Sequence, residues 1–140
     1  MIDLINKPMI INCVIYCDYR TSEKLSKIGY NSYTEHQFYV SGDTISTTSL
    51  DADSCMMTKL ISKKKNESLI YRPSVEQALL YIKTLDPNWT LDVDYDDNVK
   101  GYYFIVKNKD KNYEYKQPPC PDFRRPDAFV WGIEHILNRI

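Results

Sequence analysis

Glycine occupies only four of the 140 positions, and that scarcity removes most routes to a backbone loop able to cradle phosphate. Histidine is limited to His36 and His135, which leaves few bases for acid–base or nucleophilic chemistry. No apolar run approaches the ~20 residues that a membrane-spanning helix requires. The leading segment MIDLINKPMIINCVIYC lacks the basic flank, the long apolar core and the small-residue cleavage site of an export signal, so a soluble, cytoplasmic chain without a membrane partner is expected. Neither sign of charge is in excess: 18 Lys and Arg face 19 Asp and Glu, for a formal net charge of −1. Binding to nucleic acid or to another charged partner must therefore come from a local patch and not from a global field. The four cysteines, Cys13, Cys17, Cys55 and Cys120, are too sparse and scattered for a disulfide framework, which fits a reducing compartment.

What is abundant is tyrosine, at twelve residues, a side chain that suits both a half-buried sheet and a binding surface. The length suits one domain, which at this size buries roughly two-thirds of its unfolded surface. The clearest element is YRPSVEQALLYIKTL, residues 71–85. Ser74 and Gln77 form a capping box, and Val75, Ala78, Leu79, Ile82 and Leu85 recur at helical spacing. Trp89, Leu91, Val93 and Tyr95 then alternate with polar residues, the period of a strand with one wet face. YYFIVK (102–107) and Tyr113–Lys116 read as two further strands around the loop Asn108–Asn112. The loop QPPCPDFRRP, with Arg124 and Arg125 at its end, cannot continue a sheet interior. Pro126 opens a last helix with Phe129, Ile133, Ile136, Leu137 and Ile140 as its stripe.

The first half is less regular. MIINCVIYC (9–17) reads as one buried strand. SEKLSKI reads as a short helix capped by Thr21 or Ser22 and closed by Gly29, Gln37–Val40 as a strand, and Asp43–Ser54 as a loop or weakly paired edge strand. CMMTKLI (55–61) leans toward strand. The fold class expected is α+β, a single domain with an antiparallel sheet and helices, and with a seam at residues 62–68.

Several residue sets invite chemistry. Cys13 and Cys17 with His36, Cys55 or Cys120 supply zinc-type ligands, but without the paired spacing on tight turns that structural sites use. Neither histidine adjoins a nucleophile motif, so no catalytic residues, metal or cofactor are assigned; a small enzyme with a cysteine or acidic site, resting on Cys17, His36 or Asp92, is the third alternative to a binding role. Asp92, Asp94, Asp96 and Asp97 begin like a calcium loop. Asp97 then stands where a glycine is needed and Tyr103 where the bidentate glutamate belongs, so a strand's wet face explains the row better. Joined by Asp86, that row could meet a basic surface on a partner. Lys107, Lys109 and Lys111 beside Tyr102, Tyr103, Tyr113 and Tyr115 offer the alternative of nucleic-acid or nucleotide binding.

The stretches YRPSVEQAL and RRPDAFVWGI place residues 71–140 in a pattern that resembles the phage ABA sandwich family, at its tyrosine-containing lead into a first helix and its proline-alanine lead into a last. The resemblance implies a helix, three strands and a helix, a phage origin and no established catalytic residues. In that context the expected role is that of a non-catalytic accessory protein binding a host protein or ribonucleoprotein complex, most specifically as an anti-CRISPR-like inhibitor of a defence system in the host cytoplasm. The surface expected to bind comprises Asp92, Asp94, Asp96, Asp97, Tyr102, Tyr113, Tyr115, Arg124 and Arg125.

Overall fold

A computed structural model describes residues 5–140, so the first four residues of the leading segment lie outside it. The fold is α+β, with four helices and three small antiparallel sheets among the described residues. The chain divides into two compact units: Tyr16–Pro73 with the residues up to Met9, and Ile10–Ile15 with Ser74–Ile140. The connector at residues 62–68, the expected seam, lies inside the first unit, and the division follows Pro73.

The apolar run at 9–17 is not one strand. It folds back as β1 (Met9–Ile11) and β2 (Val14–Tyr16), because Asn12 and Cys13 both adopt positive φ, 51° and 66°, the backbone of a tight hairpin turn.

In the first unit, α1 (Tyr19–Lys27) is capped by Asp18, whose carboxylate accepts the Thr21 N–H at 3.0 Å. This corrects the expected caps, since Thr21 and Ser22 are buried within the first turn. Strands β3 (His36–Ser41), β4 (Thr44–Thr48) and β5 (Glu67–Arg72) form a sheet in the order β4-β3-β5. The polar segment after Gly42 is thus an edge strand. Phe38 lies opposite Ile70 and meets Tyr19 of α1 edge-on. On the other face Tyr71 lies under Lys59 of α2 (Ala52–Lys64). The residues Cys55–Ile61 are therefore helical and not a strand. Asp51 caps that helix by accepting the Ser54 N–H at 2.7 Å, and only Cys55 and Ser62 are buried along it.

Gln37, fully buried, spends its whole amide on the fold. Oε1 accepts from Thr48 Oγ1 (3.0 Å) and Leu50 N–H (2.9 Å), and Nε2 donates to the Thr34 (2.6 Å) and Leu50 (3.1 Å) carbonyls.

The second unit follows its sequence pattern closely. Helix α3 (Val75–Leu85) carries the capping box, with Ser74 and Gln77 bonded reciprocally at 3.1 and 2.9 Å. Strands β6 (Trp89–Asp96), β7 (Gly101–Asn108) and β8 (Tyr113–Lys116) form a meander. Helix α4 (Arg125–Leu137) packs on β6 and β7 and against α3. Gly132 permits the close approach, since a Cβ there would lie 2.3 Å from Leu91. Val130 is buried in α4 in place of two expected stripe positions, Phe129 being half-buried and Ile140 exposed.

Candidate functional site: the two faces of the C-terminal sheet

Strand alternation and register decide which of the sequence-marked residues share a surface. Asp92 lies opposite Ile105, Asp94 opposite Tyr103, Thr90 opposite Lys107, and Lys107 opposite Glu114. These residues form the face turned away from α4. It grades from the acidic edge strand β6, through half-buried Tyr103 and Ile105, to a mixed edge on β8. On that edge Lys107 and Glu114 lie 3.8 Å apart and Lys116 sits over the Tyr103 ring. Asp92 and Asp94 are exposed and form no ion pair among the described residues. Asp96 ends β6 and Asp97 lies in the following turn, which Asp96 Oδ1 ties down by accepting the Asn98 and Val99 N–H groups at 2.9 and 2.8 Å.

Tyr102, Tyr113 and Tyr115 are on the opposite face, so the expected single surface of acids and tyrosines does not form. Leu91, Val106 and Tyr115 share one side of the ladder, the side that α4 covers. Tyr102 packs edge-on against Tyr95. Tyr113 Oη lies 2.6 Å from His135 Nε2, and the Tyr115 ring stacks on the imidazole at 4.3 Å. Arg139 caps the Tyr113 ring. Arg124 occupies the N-cap of α4 without a side-chain cap bond, and Arg125 stacks on Phe129. Beside the His135 cluster lies a cleft of about 220 Å³ whose Gln117 Oε1 is buried without a donor. The pairing of Tyr113 with a histidine 22 residues away left no sequence signal.

Burial, with the Arg139 charge as a second cause, holds His135 below its ordinary value of 6.5. As pH falls, the unfolded chain takes up the proton first, so the stability due to the neutral ring is complete above about 6.5 and is lost as pH drops through the lowered folded value. Urea titrations between about pH 7.5 and about pH 5 should therefore show a steeper loss of stability in the wild-type chain than in His135→Gln. Parallel losses would mean that the folded ring protonates as readily as a free one.

Of the four tyrosines expected beside the hairpin lysines, only Tyr103 shares the open face with Lys107. Lys107 and Lys109 line an open cavity of about 400 Å³ with Thr90, Asn112 and Glu114. Tyr113 at its edge is committed to His135, while Lys111 sits over Trp89.

In the first unit the cysteines and His36 do not assemble. Cys17 and Cys55 are buried, and burial pushes both thiols up, away from the nucleophilic thiolate. His36 Nδ1 is 2.9 Å from Ser49 Oγ. No group of three or more His, Cys, Asp or Glu side chains able to hold a metal occurs among the described residues, and no described helix is long and apolar enough to cross a membrane.

A second surface was missed in the sequence. Met56, Met57, Leu60 and Ile61 are 64, 59, 62 and 50% exposed along one side of α2, whereas apolar residues at helical spacing ordinarily face a core.

Comparison with family models, with curated proteins and with solved structures finds no match for the chain.

Proposed function

We propose that the chain is a non-catalytic binding protein that presents the uncovered face of β6, β7 and β8 to a basic surface on a protein or ribonucleoprotein complex. One observation carries this reading: Asp92 and Asp94 stand exposed and without ion pairs among the described residues, beside half-buried Tyr103 and Ile105. Uncompensated carboxylates steer association with a cationic surface and suppress wrong partners, while an aromatic and an aliphatic side chain at the centre of the face supply area that loses water on docking. The most specific form, a phage-type inhibitor of a host defence complex, is supported by the resemblance of residues 71–140 to the phage ABA sandwich pattern.

The second reading, nucleic-acid or nucleotide binding at the β7–β8 hairpin, draws on Lys107 and Lys109 at the open cavity. Against it, Asp92 and Asp94 on the same sheet face repel phosphate.

Affinity capture from a nuclease-treated lysate of defence-carrying bacteria separates the two. The wild-type chain is expected to retain a discrete protein partner, and Asp92→Lys/Asp94→Lys to bind it at least about tenfold more weakly. Equal retention by the variant, or retention of nucleic acid with no accompanying protein from an untreated lysate, overturns the protein-face reading.

A further inference from the structure

We infer that the exposed face of α2 is a self-association surface on which two copies of the chain pack their α2 helices antiparallel about a two-fold axis. The inference is independent of the sheet-face reading, since it rests on a helix of the other unit.

At 100° per residue, Asp53, Met57, Leu60 and Lys64 fall within a narrow strip along the outermost line of α2, with Met56 and Ile61 flanking it. All six are exposed. An antiparallel pair with its axis midway between residues 58 and 59 sets Asp53 of one copy opposite Lys64 of the other and Met57 opposite Leu60, while along the two flanks Met56 approaches Met56 and Ile61 approaches Ile61. Every apolar residue meets an apolar one and each end meets its opposite charge, twice over. A two-fold interface demands such self-complementarity, and few arbitrary surface helices satisfy it. A parallel pair would set Asp53 against Asp53 and Lys64 against Lys64.

Two other occupants fit less well. An anionic membrane suits Lys63, Lys64 and Lys65, yet the same strip begins with Asp53, preceded by the capping Asp51, which such a surface repels. A foreign helix would need a complementary charge gradient that a second copy already has. Methionine is well suited to the centre, because its flexible thioether fills irregular gaps. A helix of 13 residues is only about 20 Å long. The interface is therefore at the small end of specific contacts, and a weak, concentration-dependent equilibrium is expected.

Sedimentation velocity on the full chain at several concentrations tests this. The wild type is expected to shift from the monomer mass of 16.5 kDa toward the dimer, and Leu60→Glu to remain monomeric with an unchanged circular dichroism spectrum. Asp53→Lys and Lys64→Glu should each weaken self-association about tenfold or more, by setting like charges opposite. Mixed in equal amounts, these two variants should associate again, since the mixed pair restores both attractions. Recovery on mixing is specific to the antiparallel register. A wild type monomeric at every concentration, a Leu60→Glu chain that still dimerises, or no recovery on mixing overturns the inference. Capture of a monomeric wild type by phosphatidylserine-containing vesicles, lost in Leu60→Glu, would overturn it in favour of a membrane.

Discussion

Replacement of Arg72 by methionine is expected to destabilise the chain by about 3–5 kcal/mol, the range for breaking a buried charge network by removing one member. Arg72 is only 2% exposed. Its Nε donates to the Cys17 carbonyl at 2.6 Å, one terminal nitrogen donates to the Lys7 carbonyl at 3.0 Å, and the guanidinium lies 4.6 Å from the centre of the Phe38 ring. Buried Asp18 supplies the compensating negative charge. Methionine fills much of the volume but leaves the Cys17 and Lys7 carbonyls without their donor, each at the cost of desolvation, and removes the positive charge near buried Asp18. Lysine restores the charge without the planar fork that reaches two acceptors at once, so Arg72→Lys should recover only part of the loss. Urea unfolding followed by far-ultraviolet circular dichroism gives the value, and a loss under about 1 kcal/mol would show that the guanidinium is not holding the unit together. Because whole domains have only about 5–15 kcal/mol in hand, the substitution removes a large share of what keeps the chain folded.

Gly101→Ala should cost about 3 kcal/mol, the upper part of the range for overpacking. A Cβ at Gly101 would lie 1.8 Å from the Cys120 carbonyl oxygen, and the obstacle is backbone that cannot rotate away. The segment after β8 is tied along β7: the Tyr102 N–H donates to the Phe123 carbonyl at 2.9 Å and the Asp122 N–H to the Lys100 carbonyl at 3.2 Å. Relief of the clash therefore breaks those bonds. Gly42→Ala is the informative control, because Gly42 has φ of +60° but no atom within 4 Å of a new Cβ. It should cost only the left-handed backbone penalty of about 1–2 kcal/mol. Similar losses for the two substitutions would show that the loop gives way without resistance.

What was legible in the sequence is whatever several local signals specify together. The Ser74 cap, the Val75–Ile82 stripe and the alternation from Trp89 to Tyr95 all agree, and the second unit has nearly the elements they predict. Sequence and structure part where a local pattern serves a non-local purpose. Residues 55–61 lean toward strand on their composition; the helix is set by the Asp51 cap, and Met56, Met57, Leu60 and Ile61 face water. The β1–β2 hairpin was hidden because Asn12-Cys13 supplies its turn without a glycine. The candidate site was half legible: the acids of β6 share the open face as their period requires, but Tyr113 and Tyr115 belong to the His135 cluster, which only tertiary packing could create.

The saturated amide of Gln37 has a consequence for how the first unit finds its pairing. Its sheet includes a nearly polar edge, TISTT in β4, so hydrophobic alternation says little about which residue of β4 should face which of β3. A slip of β4 by one position would swing Thr48 to the opposite side and carry Leu50 away with it, leaving Gln37 Oε1 without its two donors and Nε2 without one of its acceptors. Gln37 thus works as an index pin: the unit that lacks an apolar ruler keeps its strands aligned through one side chain whose bonds close in a single alignment.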